Sequence, residues 1–243
     1  MIALRFATVM VAVTLMGAFG SSGISKDVSG SAVIVAGGVA TLSTSIGNIS
    51  VKAWPSNAVK WTAHERAGNQ QELDRLRVDV TKDAGNVTLR AIEFDGCDEC
   101  GIDLEVWVPR SVSVAASGAV GKVSVAGIAS TVVARTSTGS VDISASDGDL
   151  IAETQTGNVN ANLSSLLNTR RIMLSTGTGT ITLSLPRSAD AAISASTHIG
   201  NISTDFGSPE KQMMSATLQT KAGNGTIQVH LSTGVGNISL RAR

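Results

Sequence analysis

The chain of 243 residues carries 19 Lys plus Arg against 19 Asp plus Glu, and a net charge of zero excludes the long-range field that gathers nucleic acid or an anionic membrane surface. Its length allows one large β domain or two smaller ones around a real core. With 25 Gly, 4 Pro, no Tyr and 3% aromatic residues, that core is made of Val, Ile, Leu and Ala rather than of rings.

Residues 1–20 read as a secretory signal peptide. Arg5 closes a short basic region, Phe6 to Phe19 is apolar, and Ala18-Phe19-Gly20 offers small residues for cleavage. The apolar run is shorter than the about 20 residues a spanning helix needs. Ser21-Ser22-Gly23 follows, with no cysteine there to carry a lipid. Contact with a membrane is expected only through this segment if it stays uncleaved. Nothing after residue 25 is apolar for long enough to span, and Leu240 to Arg243 holds no hydrophobic tail or sorting signal. The expectation is an exported protein, periplasmic, extracellular or on the cell surface.

Residues 21–38 form an N-terminal linker and first strand, and residues 39–110 an irregular β region that caps a solenoid. Strands are predicted at Ser31–Ala36, Ile49–Ala53, Ala58–Ala63, Leu73–Val80, Val87–Ile92 and Ile102–Val108, with a hairpin-type turn at Asp83-Ala-Gly-Asn86. Trp54, Trp61 and Trp107 all fall here. They are expected to close the open end of the solenoid with bulky apolar surface, rather than to form a ligand platform. Cys97-Asp-Glu-Cys100 is expected to form a disulfide, since a β-turn brings residues three apart within about 7 Å. Redox work needs a βαβ setting that is not visible, and a zinc site needs four ligands where two sulfurs stand without a nearby histidine.

Residues 111–243 repeat. Gly-Asn-Ile-Ser occurs at Gly47, Gly200 and Gly236, and variants begin at Gly139, Gly157, Gly179 and Gly225; from Gly139 to Gly200 the intervals are 18, 22 and 21 residues. Such a period marks successive coils of a solenoid. Glycine supplies φ > 0 at a corner and Asn bonds neighbouring backbone. After each corner the apolar residues alternate, as in Val141 and Ile143, Val159 and Ala161, Ile181, Leu183 and Leu185, or Ile227, Val229 and Leu231. A period of two with β-branched residues argues strand and against helix anywhere past residue 110. Corner residues recurring at similar intervals favour stacked coils over a sandwich of hairpins.

The strand Ile49-Ser-Val-Lys-Ala-Trp54, the element Leu104-Glu-Val-Trp-Val-Pro-Arg110 and the repeated Ser/Thr-x-Gly-x-Val/Ile tokens, interrupted by Leu183-Ser-Leu-Pro186, resemble the bacterial β-strand repeat proteins known as putative adhesins, a domain of unknown function. The similarity spans roughly residues 40–243. It implies a single-chain, right-handed parallel β-solenoid, export and a label of adhesion. It brings no catalytic residues.

The remaining chemistry reads as structural. His64, His198 and His230 lack metal-ligand spacing, no Gly-x-Ser-x-Gly elbow is present, and Asp147-Gly-Asp149 reads as a turn outside any calcium β-roll pattern. The sequons at Asn48, Asn86, Asn162, Asn201, Asn224 and Asn237 follow from the repeat token itself. No cofactor or metal is expected. The expected function is a non-catalytic adhesin or envelope scaffold with a protein or glycan partner. Two alternatives stand beside it: a factor in envelope stress or assembly acting through a protein partner, and a polysaccharide-processing enzyme. The enzyme would need paired carboxylates from among Asp142, Asp147, Asp149, Glu153, Asp190, Asp205 and Glu210.

Overall fold

The computed structural model describes residues 12–15 (backbone alone), 23–94, 96–97 and 99–243. Apart from the strand Ala12–Leu15, which pairs antiparallel with Ile24–Val33, the expected leader lies outside the described residues.

Among the described residues, alternation and stacking produce two sheets of eleven strands each. The first runs Ala12–Leu15, Ile24–Val33, Ala58–Ala67, Gly101–Pro109, Ile49–Trp54, Val123–Ala126, Val141–Ser144, Val159–Asn162, Ile181–Leu185, Ile238–Ala242, Ile202–Thr204. The second runs Glu210–Gln212, Ser215–Ala222, Ala191–Ile199, Ile227–Val235, Arg171–Thr178, Leu150–Thr156, Val132–Thr138, Ser113–Val120, Val39–Ile46, Asn86–Ile92, Arg77–Asp83. A coil is one strand of the second sheet, a corner and one strand of the first. Neighbouring coils pair parallel and in register, as Val141, Asp142, Ile143 and Ser144 do against Val159 to Asn162. This is an all-β parallel solenoid, and among the described residues no helix follows residue 110.

Register turns alternation into a core. Val123, Val141, Val159, Ile181 and Ile238 form one buried column of the first sheet, and Val114, Val132, Leu150, Ile172 and Val229 one of the second. Each buried aliphatic side chain contributes about 1.5–3 kcal/mol, and like stacked on like carries the buried columns through successive coils.

Spatial order departs from winding order at both ends. The first coil, Val39–Trp54, lies between the later strand pair Asn86–Ile92 and Gly101–Pro109 and the coil that starts at Ser113. At the other end the last coil, Ile227–Ala242, sits between the Arg171–Leu185 coil and the Ala191–Thr204 coil. Each end is therefore clasped by a segment adjacent in sequence but outside it in space. Antiparallel strands then cover the clasps: Ala58–Ala67 and Ile24–Val33 at one end, Arg77–Asp83 beside them in the second sheet, and Ser215–Ala222 at the other end. Antiparallel capping with short outer strands blunts the edges of a parallel stack.

Three local expectations are corrected. The predicted strand Leu73–Val80 opens instead as a short helix, Gln70–Leu73, because the Asn69 side chain accepts from Glu72 N and caps its first turn; the strand begins at Arg77. The predicted Ser31–Ala36 strand is Ile24–Val33, ended by a turn in which Gly38 N donates to Val35 O. Only Trp61 plugs the N-terminal cap, with 1% of its surface exposed; Trp54 and Trp107 are half-buried on the outer face.

Candidate binding surface

Six of the seven predicted turn glycines line up, one per coil. Gly47, Gly139, Gly157, Gly179, Gly236 and Gly200, joined by Gly121, all lie at φ between 139° and 150°. A Cβ on Gly179 would overlap the carbonyl oxygen of Gly157, and the same holds from Gly121 on Gly47 through to Gly200 on Gly236. Positive φ and a backbone oxygen in the Cβ position both demand glycine. Gly121, followed by Lys122 where the other tokens carry Asn, Ser or Thr, was not among the predicted glycines. Gly225 has positive φ, at 74°, but occupies a return turn, where its N–H bonds the Asp190 carboxylate.

Two polar ladders flank this spine. Threonine hydroxyls donate to the glycine carbonyls: Thr136 to Gly121 at 3.0 Å, Thr154 to Gly139 at 3.0 Å, Thr176 to Gly157 at 2.9 Å, Thr233 to Gly179 at 3.2 Å and Thr197 to Gly236 at 2.9 Å. Asparagine side chains after the glycines accept backbone N–H from the next coil, Asn48 from Lys122, Asn158 from Thr180 and Asn237 from Asn201. Sequence showed the Asn pattern; the Thr ladder, buried three residues before each spine glycine except Gly121, was missed.

The outer faces repeat one position per coil. On the first sheet Ser124, Asp142, Asn160, Thr182, Ser239 and Ser203 form a row. On the second, Ser43, Ser117, Arg135, Glu153, Ser175, Ser232 and Ser196 do. Beside the glycine spine runs a ridge of β-branched residues, Ile46, Val120, Thr138, Thr156, Thr178, Val235 and Ile199, every one of them exposed.

The acidic residues are spread over this frame and engaged by it. Asp147 accepts from Asn168, at N and Nδ2, and Asp149 from the backbone N–H of Arg170 and Arg171. Asp142 pairs with Lys122 and accepts from Asn160, Glu153 pairs with Arg135, and Asp205 accepts from Ala242 N. Desolvation works to raise the Asp190 carboxyl, but bonds from the Gly225, Thr226 and Asn224 backbone and the Thr226 hydroxyl outweigh it and hold it below the ordinary carboxylate range. Asp142 and Glu153 face outward from opposite sheets, and Glu210 stands on an exposed edge strand. His64 pairs with Asp27 at 2.8 Å, while His198 and His230 are exposed and apart from it.

At the N-terminal cap, Cys97 and Cys100 are joined with Cα atoms 5.4 Å apart, and Glu72 lies beside them. Nearby, Glu65 is fully buried on the inward face of Ala58–Ala67; Lys26 approaches its Oε2 to 2.8 Å, and Oε1 meets no donor among the described residues. Burial pushes this carboxyl up, against the pull of Lys26.

The model of the Toastrack DUF4097 family matches residues 39–241, the whole of the coiled region. The chain belongs to that family. Among solved structures, this Toastrack chain is similar to a putative cell adhesion protein from Clostridium sporogenes, with 11% identity and a TM-score of 0.51 over 97% of this chain and 100% of that one. It is also similar to a putative adhesin from Bacteroides fragilis, with 13% identity and a TM-score of 0.40 over 90% and 96% of the two chains. No curated protein matches the sequence. Among its described residues the Toastrack chain has no helix long and apolar enough to cross a membrane.

Proposed function

We propose that this Toastrack protein is an exported, non-catalytic adhesin or envelope scaffold that presents its outer faces to a protein or glycan. The observation that carries the reading is the pair of outer rows, regular over successive coils, whose two acidic side chains, Asp142 and Glu153, are each tied to a neighbouring coil. Extended repeat surfaces suit broad contacts, while hydrolysis of a glycosidic bond needs two carboxyl groups about 5–9.5 Å apart on either side of it. The adhesion label borne by the Clostridium sporogenes structure agrees with this reading, and the basic and apolar order of residues 1–20 agrees with export.

The test is fractionation of cells expressing a C-terminally tagged chain, followed by binding of the purified protein to whole cells and isolated envelopes. Recovery in the periplasm, envelope or medium with saturable binding is expected. A cytoplasmic protein that binds neither surface contradicts the reading.

A further inference from the structure

We propose that the return-turn cleft beside Trp54, together with the outward ring of Trp107, is a binding site for an anionic saccharide. This deepens the binding reading above and rests on it.

In a chain with 3% aromatic residues and no tyrosine, two of the three tryptophans stand on one outer face. Lys52 is the register partner of Trp107, and Trp54 that of Pro109 two residues on, so the rings are diagonal neighbours on adjacent strands. Trp54 is fixed by an Nε1–H bond to Ala58 O at 2.7 Å. It walls a cleft of about 420 Å³ with Arg110, Asn57, Ser130 and Pro109; clefts of roughly 300–1,000 Å³ hold small ligands. Trp107 lies between two lysines in register, with the ammonium groups of Lys60 and Lys52 at 5.3 and 6.0 Å from the ring centroid.

The charge points to the ligand. Lys52 is offset by Glu105 at 2.9 Å, whereas Lys60 and Arg110 form no ion pair among the described residues and are exposed. A sugar ring lays its C–H face on an indole. The guanidinium fork of Arg110 matches a carboxylate or sulfate, and Asn57 and Ser130 supply hydrogen bonds for hydroxyls. A neutral sugar would use the rings and the amide but leave the cations without a role.

The experiment titrates the full chain with oligogalacturonate, a sulfated oligosaccharide and a neutral dextran oligomer of equal length, read by tryptophan fluorescence and calorimetry. Binding of an anionic oligomer at least tenfold tighter than of the neutral one is expected, with uronate or sulfate preference naming the anion. Trp107→Ala, Lys60→Ala and Arg110→Ala should each weaken it about tenfold with melting unchanged, whereas Lys211→Ala, on the exposed edge strand at the other end of the solenoid, leaves it intact. Equal affinity for dextran, no binding by the wild-type chain, or binding indifferent to all three variants overturns the site. Whole-cell binding that persists in those cases leaves the adhesion reading standing without it.

Discussion

Gly157 and Gly179 touch backbone to backbone: the carbonyl oxygen of Gly157 occupies the place where a Cβ of Gly179 would stand, and Thr176 Oγ1 donates to that same oxygen at 2.9 Å. One close approach thus fixes the spacing of two coils, and it recurs along the solenoid. Gly179→Ala should cost about 3 kcal/mol or more, by combining strain at positive φ with a backbone clash. Gly37→Ala, at φ 80° with nothing within 4 Å, should cost only about 1–2 kcal/mol. Urea melts of the two variants check the contrast.

Gly118 is where the threonine ladder skips a rung. It is the register partner of Thr44 on one side and Thr136 on the other, yet carries no hydroxyl. A Cβ there meets only ordinary contacts, 3.6 Å from Thr136 Oγ1 and 3.9 Å from Val123. Gly118→Thr should therefore stabilise the fold by about 0.5–1.5 kcal/mol, from one added hydrogen bond and a stiffer unfolded chain. Thr154→Val should do the reverse by about 1–3 kcal/mol, leaving the Gly139 carbonyl without its donor. Denaturation midpoints at unchanged slope report both.

The pH dependence of stability divides between two carboxyls. Glu65 has a raised folded pKa, so its contribution is fully present below the unfolded value and is lost as pH rises through the folded one; Glu65→Gln should remove that loss above about pH 4.5. Asp190 has a lowered pKa, so its contribution holds above the unfolded value and disappears as pH falls through the folded one; Asp190→Asn should flatten the acid limb instead. Melting temperatures of both variants across pH 3–8 read the opposite signs.

The Cys97–Cys100 bridge closes a short loop, and removing it should cost about 2 kcal/mol. Alkylation in denaturant should label no thiol before reduction and two after it, and the reduced chain should unfold at lower urea.

Much of the fold was legible because the constraint at each corner is severe. Only glycine fits a positive φ under a neighbour's carbonyl, so Gly139, Gly157, Gly179 and Gly236 announce themselves, as do the alternating Val and Ile that follow them. The order of coils was not legible. Every coil carries nearly the same grammar, so nothing in Ile227–Ala242 distinguishes an outermost position from an inner one; the decision rests on the antiparallel pairing of Ala191–Ile199 with Ser215–Ala222, a long-range choice without local signature. Leu73–Val80 was misread for a related reason. Leu76, Val78 and Val80 stand two apart and pack on the core, and Leu73, buried three residues earlier in the helix, was read into the same run. The cleft beside Trp54 was invisible because it forms only where the turns at Trp54, Pro109 and Ala129 meet.

Proximity of side chains on adjacent strands decides the interleaving at the C-terminal end of the solenoid. With cysteines placed at Ser175, Ser196 and Ser232 in pairs, a cross-linker reaching about 5 Å, one strand spacing, should join 175 to 232 and 232 to 196, the register partners across adjacent strands. Efficient joining of 175 to 196, with none between 175 and 232, would mean that the coils stack in simple winding order and would contradict the arrangement described above.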